Sequence, residues 1–292
     1  MLFVDDPFKE KPKVVVMRFT TVTFGVGPSM WHLGAVINHH LKKYEQTDLE
    51  VVRKIDRGLY ADDFSGGDSD DEKAVKLYQR TREIFKDANM NMRKWRSNSE
   101  AVMKAVASDE QISADEQKNL VNPVKSLGVP WDTGKDILIF SLKNAIMRGK
   151  NDAITKKGFV GASSSLFDVI GLLAPVTFSL KSMFQRVCIE GTAWDELLSP
   201  DVKRKWDRWL AGAELVEEFE IPRCYIAEMA NCSEVTLVGF CDASEKGYAA
   251  VIYIRGEFKR DGKKEVHTGF VSAKTRVSPK EKHTIPRLEL LG

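Results

Sequence analysis

Asp62 and Asp63 stand side by side in the stretch Ile55-Asp56-Arg57-Gly58-Leu59-Tyr60-Ala61-Asp62-Asp63-Phe64-Ser65-Gly66-Gly67. Short runs able to form strands flank them, and two glycines precede a helical segment. A β-hairpin with both carboxylates at its tip would present two anionic groups at one end of a sheet. Such hard oxygen donors suit Mg²⁺ held by carboxylates together with substrate phosphates. In two-metal nucleotidyl transfer one ion activates the attacking oxygen and the other steadies the leaving oxygens. Asp-Asp pairs are also common in solvated turns, so the surroundings must decide. A second pair lies late in the chain: Asp242 ends a strand-like run and Glu289 falls at the start of a helix. A carboxylate on a strand next to one on a helix can share a pair of metal ions. Asp132-Thr133-Gly134 spells the aspartic-protease triplet, but Pro130-Trp131 precedes it, Lys135 follows it, and no second copy exists. That chemistry needs two Asp groups sharing one proton.

The elements that must position these residues follow from pattern. Met1 to Val4 and Val14 to Phe19 read as strands. Phe24-Gly25-Val26-Gly27-Pro28-Ser29 is a glycine-rich turn feeding an apolar helix from Met30 to about Tyr44, and such turns let a backbone approach a ligand. Ser69-Asp70-Asp71-Glu72 fits a capping box. Ala74, Leu77, Tyr78, Thr81, Phe85 and Ala88 then recur at helical spacing. This helix would hold the hairpin rigid. Met92 to Asn98 alternates basic and apolar residues around Trp95, the pattern of a strand edge along a phosphate backbone. Residues 100–121 read as a linker or peripheral helix, and 127–140 as a hairpin. Residues 153–190 read as helical with a break from Gly171 to Pro175. Helical character continues through Trp194 to Leu198 and an amphipathic helix over Val202 to Leu215, with Trp206 and Trp209 turned inward. Three strands follow, from Val235, Tyr248 and Val266. A helix then begins with Thr284 as cap and Pro286 in its first turn.

The chain has 292 residues, 43% hydrophobic and 29% charged, with a net charge of +2. It is globular rather than disordered. A near-neutral chain has no strong steering field, so nucleic-acid binding would rest on local patches such as Arg93-Lys94-Trp95-Arg96 and Lys203-Arg204-Lys205. No apolar run has the length of a membrane span, and no signal peptide is evident. Cys188, Cys224, Cys232 and Cys241 lack metal-finger spacing and read as reduced, mostly buried thiols.

Tyr60-Ala61-Asp62-Asp63 resembles the Tyr-x-Asp-Asp motif of reverse transcriptases. The surrounding segments resemble those of BEL/Pao-class LTR retrotransposon polyproteins, with gaps, from about Phe3 to the last residue. Phe24-Gly25 looks like the palm turn, although Pro28-Ser29 stands where the family usually has Ser-Pro. Lys94-Trp95-Arg96-Ser97-Asn98 is similar to the family's Lys-Trp-x-Ser-Asn signature. Phe167-Asp168-Val169-Ile170-Gly171-Leu172-Leu173-Ala174-Pro175-Val176 is similar to its Phe-Asp-Pro-Leu-Gly-Leu-Leu-x-Pro-Val segment, with Val169-Ile170 in place of Pro-Leu. Asp242-Ala243-Ser244 and Ile285-Pro286-Arg287-Leu288-Glu289 resemble its ribonuclease H motifs.

The resemblance implies an α+β chain in three parts: residues 1–100 as the end of a reverse transcriptase palm, 101–230 as a helical thumb or connection, and 231–292 as the start of a ribonuclease H-like sheet. The middle part carries a Pao-type peptidase label in the family. Asp62, Asp63, Asp242 and Glu289 would be catalytic metal ligands for two Mg²⁺ ions. Tyr60 would sit by the primer end, Phe24 and Gly25 by the incoming nucleotide, and Lys94 and Trp95 along the primer. Partners would be template-primer, RNA–DNA hybrid, dNTP and the rest of the polyprotein, with no membrane. The setting would be intracellular, in a cytoplasmic virus-like particle or the nucleus. A palm needs another Asp on a strand before Phe24, and Asp5 and Asp6 do not fit. A ribonuclease H site needs two more carboxylates after Glu289. The expectation is therefore a polyprotein fragment with neither activity by itself, prone to self-association through an uncovered sheet face. The alternatives are a non-catalytic or domesticated nucleic-acid-binding fragment and, behind it, an aspartic peptidase.

Overall fold

The computed structural model describes residues 2–19, 21–23, 25–107, 124–126, 128–151, 155–215, 218–260, 262–281 and 283–292. Helix and sheet are mixed, as the sequence pattern requires. Two compact units divide the chain, Met1–Asn119 and Leu120–Gly292.

In the first unit, β1 (Leu2–Val4) pairs antiparallel with β2 (Val14–Val16). Helix α1 (Ser29–Leu41) runs into a 3₁₀ turn. Helix α2 (Leu49–Gly58) follows, where the sequence allowed a strand up to Gly58. Glu50 in its first turn and Arg57 in its last suit the helix dipole. Its Val52 and Ile55 are buried one turn apart, which a strand could not achieve on one face. The hairpin β3 (Leu59–Tyr60) and β4 (Asp63–Phe64) comes next, then helix α3 (Asp71–Asp87). The cap of α3 is Asp70, one residue later than the Ser69 capping box predicts: its Oδ1 accepts from the Lys73 N–H at 3.1 Å. Leu77, Tyr78, Thr81, Ile84 and Phe85 form the buried face. Ile37, Leu41, Val52, Ile55, Ile84 and Phe85 make the core. Residues 91–98 form no strand. Helix α4 (Glu100–Ala107) follows them, and the rest of the expected 100–121 segment lies outside the described residues.

Asp48 and Arg80 tie α2 to α3. Arg80 Nε and an Nη donate to the two Asp48 oxygens at 2.7 and 2.8 Å. The guanidinium, and then the Thr47 hydroxyl, lower the Asp48 pKa to about 2. A carboxyl whose folded pKa lies below its unfolded value of 3.8 stabilises the fold above that value, and the contribution is lost as pH falls through about 2. Arg80 remains 36% exposed, which limits the pair to about 1 kcal/mol. Asp48→Asn is therefore expected to speed hydrogen exchange of the α2 amides modestly at neutral pH. That difference should close between pH 4 and pH 2. A difference that persists below pH 2 would rule out the carboxylate as its source.

The second unit carries more sheet than a helical connection predicts. Strands β5 (Val124–Ser126), β6 (Val129–Asp132), β7 (Ile137–Ser141) and β8 (Glu218–Pro222) form an antiparallel sheet in that order. Of these strands, the sequence pattern anticipates the β6–β7 hairpin alone. Arg223, just past β8, grips Asp136 with two hydrogen bonds at 2.6 and 2.8 Å, closing the sheet across the hairpin turn. The helices are α5 (Lys143–Asn151), α6 (Lys156–Ser164), α7 (Ala174–Ile189) and α8 (Pro200–Ala213). Thr155 caps α6 through Gly158 N–H at 3.1 Å. Pro175 and Pro200 occupy the first turns of α7 and α8, where a missing N–H costs nothing. The break between α6 and α7 spans 165–173, and 190–199 are turns rather than helix. Trp206 is buried, stacked on Trp209 with centroids 5.2 Å apart and planes 6° apart.

Strands β9 (Glu234–Ser244), β10 (Gly247–Arg260) and β11 (Lys263–Val277) form a second antiparallel sheet, ordered β11-β10-β9. Helix α9 (Ile285–Glu289) follows. Thr284 holds its N-cap position without a side-chain hydrogen bond to the helix. Helix α7 lines the outer edge of β11. Ala273 N–H donates to Ile170 O at 2.8 Å, Lys181 Nζ to Thr275 O at 3.1 Å, and Gln185 Nε2 to Ser278 O at 2.5 Å. Val235 and Leu237 are exposed on one face of β9, and Phe240 is exposed on the other, where its ring meets Tyr253 at 6.3 Å. All four cysteines are free, and Cys224 and Cys241 are exposed, against the expectation of mostly buried thiols.

Candidate functional site

The Asp62-Asp63 hairpin grows directly out of the end of α2. Leu59 caps that helix in an extended conformation, and Tyr60 pairs with Asp63, leaving a two-residue turn of Ala61 and Asp62. Leu59 and Phe64 anchor the hairpin on the first core. Ser65 N–H donates to Gly58 O at 2.8 Å, extending the ladder. A Cβ on Gly58 would come 2.0 Å from Ser65 O, so the close return of the chain depends on glycine there. Lys54 on α2 forms an ion pair with Asp68 beyond the hairpin, which lowers the Asp68 pKa. The tip is thus held from both sides, and Tyr60, Asp62 and Asp63 are exposed upon it.

Ala61 sits at φ 59°, in the left-handed region. A Cβ there costs roughly 1–2 kcal/mol. Ala61→Gly should relieve about 0.5–1 kcal/mol of that net of backbone entropy. The Ser65 amide should then exchange about two- to fivefold more slowly. Unchanged or faster exchange would show that the turn carries no strain.

Trp95 and Lys94 part company. The Trp95 ring packs edge-on against Tyr78 at 4.9 Å and Phe64 at 6.1 Å, and its Nε1–H donates to Met92 O at 3.3 Å. The indole therefore braces the hairpin from behind instead of offering a stacking platform. Lys94 is exposed at φ 58°. Gly25 also lies at positive φ, 76°, with open space where a Cβ would project. Phe24 lies outside the described residues. In the second basic patch, Lys203 pairs with Asp207, and Arg204 and Lys205 share Asp201, so two carboxylates offset most of its charge.

Asp132 is occupied in building its own turn. Its Oδ1 accepts from Gly134 N–H at 2.9 Å and Lys135 N–H at 3.0 Å. An Asx turn accounts for the Asp-Thr-Gly triplet without protease chemistry.

Asp242 lies near the end of β9, paired with Ala249 on β10. Helix α9 packs along β9 and β10. A Cβ on Gly292, just past it, would lie 3.3 Å from both Ala249 O and Cys241 Cβ. The helix bearing Glu289 therefore comes to the neighbourhood of Asp242, and both carboxylates are exposed. Oxygen donors of this kind fit a hard divalent ion. Among the described residues, however, no three His, Cys, Asp or Glu side chains converge as a metal site, so the donor type fits and the donor number does not. No described helix is long and apolar enough to cross a membrane.

Two features of this region go beyond what the sequence motifs indicate. The segment 168–173 docks on β11. Asp168 Oδ2 accepts from Leu173 N–H at 2.8 Å, while its Oδ1 is buried without a partner. Burial raises the Asp168 pKa, against the lowering effect of the backbone N–H groups of Leu173, Leu172 and Gly171. Gly171, at φ 79°, lies against the Ala273 backbone. The second feature is Lys181 on α7. A sequence signal for it exists: it is the one charged residue between Ala174 and Met183.

No curated protein and no solved structure matches the chain. Residues 155–292, spanning α6 to α9 and the β9–β11 sheet, match the family model of the Pao retrotransposon-like RNaseH-like domain, which supports a fragment of Pao-type retrotransposon origin.

Proposed function

We propose that the chain is part of a retrotransposon polyprotein that handles RNA–DNA hybrids, with residues 231–292 as the first strands and helix of its ribonuclease H-like region. One observation carries this reading. Within the family match, three antiparallel strands place Asp242 on the first strand, and the helix that follows them bears Glu289. These two carboxylates would supply two of the ligands for divalent metal. Residues 1–100 would belong to a reverse transcriptase palm, with Asp62 and Asp63 as its metal-binding pair and Tyr60 beside the primer end. Gly25, with Phe24, would lie near an incoming dNTP. Lys94 would be the exposed member of its pair along the primer, with Trp95 as its packed support. Residues 101–230 would connect the two, and the whole would act within a cytoplasmic particle or the nucleus.

For this polypeptide we infer binding without turnover. Fluorescence anisotropy with a labelled RNA–DNA hybrid should show binding that weakens steeply with salt. The RNA strand should stay intact in Mg²⁺. Cleavage abolished by Asp242→Asn would replace the binding-only reading with a catalytic one. Absence of hybrid binding at low salt would refute the proposal.

A further inference from the structure

Phe240 on β9, Tyr253 on β10 and Phe270 on β11 form a row of rings across one face of the second sheet. Pairing fixes the face: Val238 and Phe270 both stand opposite Tyr253, and Phe240 is two residues from Val238. Ring centroids lie 6.3 Å apart from Phe240 to Tyr253 and 5.9 Å from Tyr253 to Phe270, with planes at 72° and 75°. The rings therefore meet edge to face. Tyr253 and Phe270 are half-buried, and Phe240, on an outer strand of the sheet, is 60% exposed. Half-buried Val238 and Val251 widen the apolar band. An exposed aromatic band on a well-paired sheet marks a surface that receives a partner.

The groups beside the band define that partner. In the next row Thr236, Arg255 and Thr268 stand side by side on the same face, so hydrogen-bond donors line the rings. Beyond them Arg255 and Lys264 both pair with Glu257. Lys259, opposite Lys264, is exposed and forms no ion pair among the described residues. Glu234, opposite Glu257, is the other acid of this margin. Three cations thus face two carboxylates, and Lys259 is left for an outside anion. Rings flanked by hydroxyls, a guanidinium and a spare ammonium suit a ligand with flat π-faces strung on a negative backbone. Single-stranded nucleic acid has that chemistry: unpaired bases stack on aromatic side chains while a basic margin tracks the phosphates. A duplex keeps its bases stacked on one another and offers the rings nothing. Asp242 lies on the same face, two residues from Phe240 along β9, or about 7 Å. We propose that Phe240, Tyr253 and Phe270 form a stacking platform for the bases of single-stranded nucleic acid, with Arg255 and Lys259 taking its phosphates. This goes beyond the hybrid-handling reading, because it gives the chain a place for an unpaired strand.

The test titrates the full chain with a labelled oligothymidylate, and in parallel with an RNA–DNA hybrid, over a salt series. Phe240→Ala should bind the oligothymidylate about fivefold more weakly or worse, the loss of one stacked base. Its slope of log affinity against log salt should not change, since no phosphate contact is removed. Phe240→Trp should bind at least as tightly as the wild type. Lys259→Ala should instead make the slope shallower by about 0.7, one phosphate of a single strand. Leu237→Ala, at an exposed side chain on the opposite face of β9, should change neither quantity. All these side chains are exposed, so the melting temperature should hold. Wild-type affinity in Phe240→Ala would overturn the platform, as would an equal loss in Leu237→Ala. So would a chain that ignores the oligothymidylate and self-associates in sedimentation until Phe240→Ala disperses it; a second copy would then be the occupant of the face. Single-strand binding that depends on Phe240, without hybrid binding, would uphold the platform and overturn the hybrid-handling reading. Hybrid binding without single-strand binding would do the reverse.

Discussion

Replacing Gly171 by alanine is expected to lower the melting temperature of the Leu120–Gly292 unit by roughly 6–12 °C. Two effects add. The left-handed conformation at φ 79° costs a residue with a Cβ about 1–2 kcal/mol. That Cβ would also come 1.7 Å from Ala273 O and 2.6 Å from its carbonyl carbon, both backbone atoms that cannot rotate away. The 168–173 segment must then lift off β11, breaking the hydrogen bonds from Ala273 N–H and the Ser272 hydroxyl to Ile170 O. Together these should cost about 3 kcal/mol or more, at 2–4 °C per kcal/mol for a unit of this size. Gly191→Ala separates the two effects. It shares the left-handed backbone at φ 73° but has nothing near its would-be Cβ, so it should cost only about 1–2 kcal/mol. Equal destabilisation in the two variants would show that the close approach to β11 contributes nothing. The Ala273 amide gives a local reading, since it should lose exchange protection in Gly171→Ala alone.

Trp206→Ala should be comparably damaging by a different route. The indole is 3% exposed, meets Phe159 edge-on at 5.2 Å and stacks on Trp209. Gly149 on α5 lets it in: a Cβ there would come 2.6 Å from its Cζ2 atom. Removing a buried aromatic leaves a cavity that costs about 3–5 kcal/mol. The aromatic pairs add roughly 0.5–1.5 kcal/mol beyond burial. Trp206→Phe should be milder, because most of the volume and one ring pairing survive. Denaturant unfolding should show a lowered midpoint with an unchanged slope. A destabilisation under about 1 kcal/mol for the alanine variant would mean that α5, α6 and α8 do not depend on this indole for their packing.

Local pattern made much of this architecture readable. The Tyr60–Asp63 hairpin, α3, α8 and the β9–β11 sheet all follow from short-range periodicity and turn chemistry, which the folded chain obeys. The misreadings arise where two structures fit the same short run. Ile55 has the β-branched side chain favoured in strands, yet spacing along a helix buries it together with Val52. The five residues of β8 alternate, but Glu218 and Glu220 stand on its polar side, and so short a charged run reads as loop. Sequence singled out Asp242 and Glu289 but not how close the helix bearing Glu289 comes to Asp242, because that depends on how α9 packs on β9 and β10. Trp95 shows the same limit. Its basic neighbours suggest an exposed nucleic-acid contact, whereas Phe64 and Tyr78, distant in sequence, claim its ring. Gly171 and Lys181 acquire their meaning only when α7 and β11 come together.

The helix along the outer edge of β11 also has a consequence for synthesis. Residues 174–189 emerge from the ribosome before the strand at 263–277 that they cover. At translation rates of 5–20 residues per second the lead is on the order of ten seconds, ample for a helix to form. The nascent strand therefore meets its guard as soon as it appears, and its free amide and carbonyl groups have a cis partner before neighbouring nascent chains on a polysome can claim them. A permuted chain that made the β9–β11 segment first would release that strand unguarded. It should yield more insoluble product even where the finished fold is equally stable.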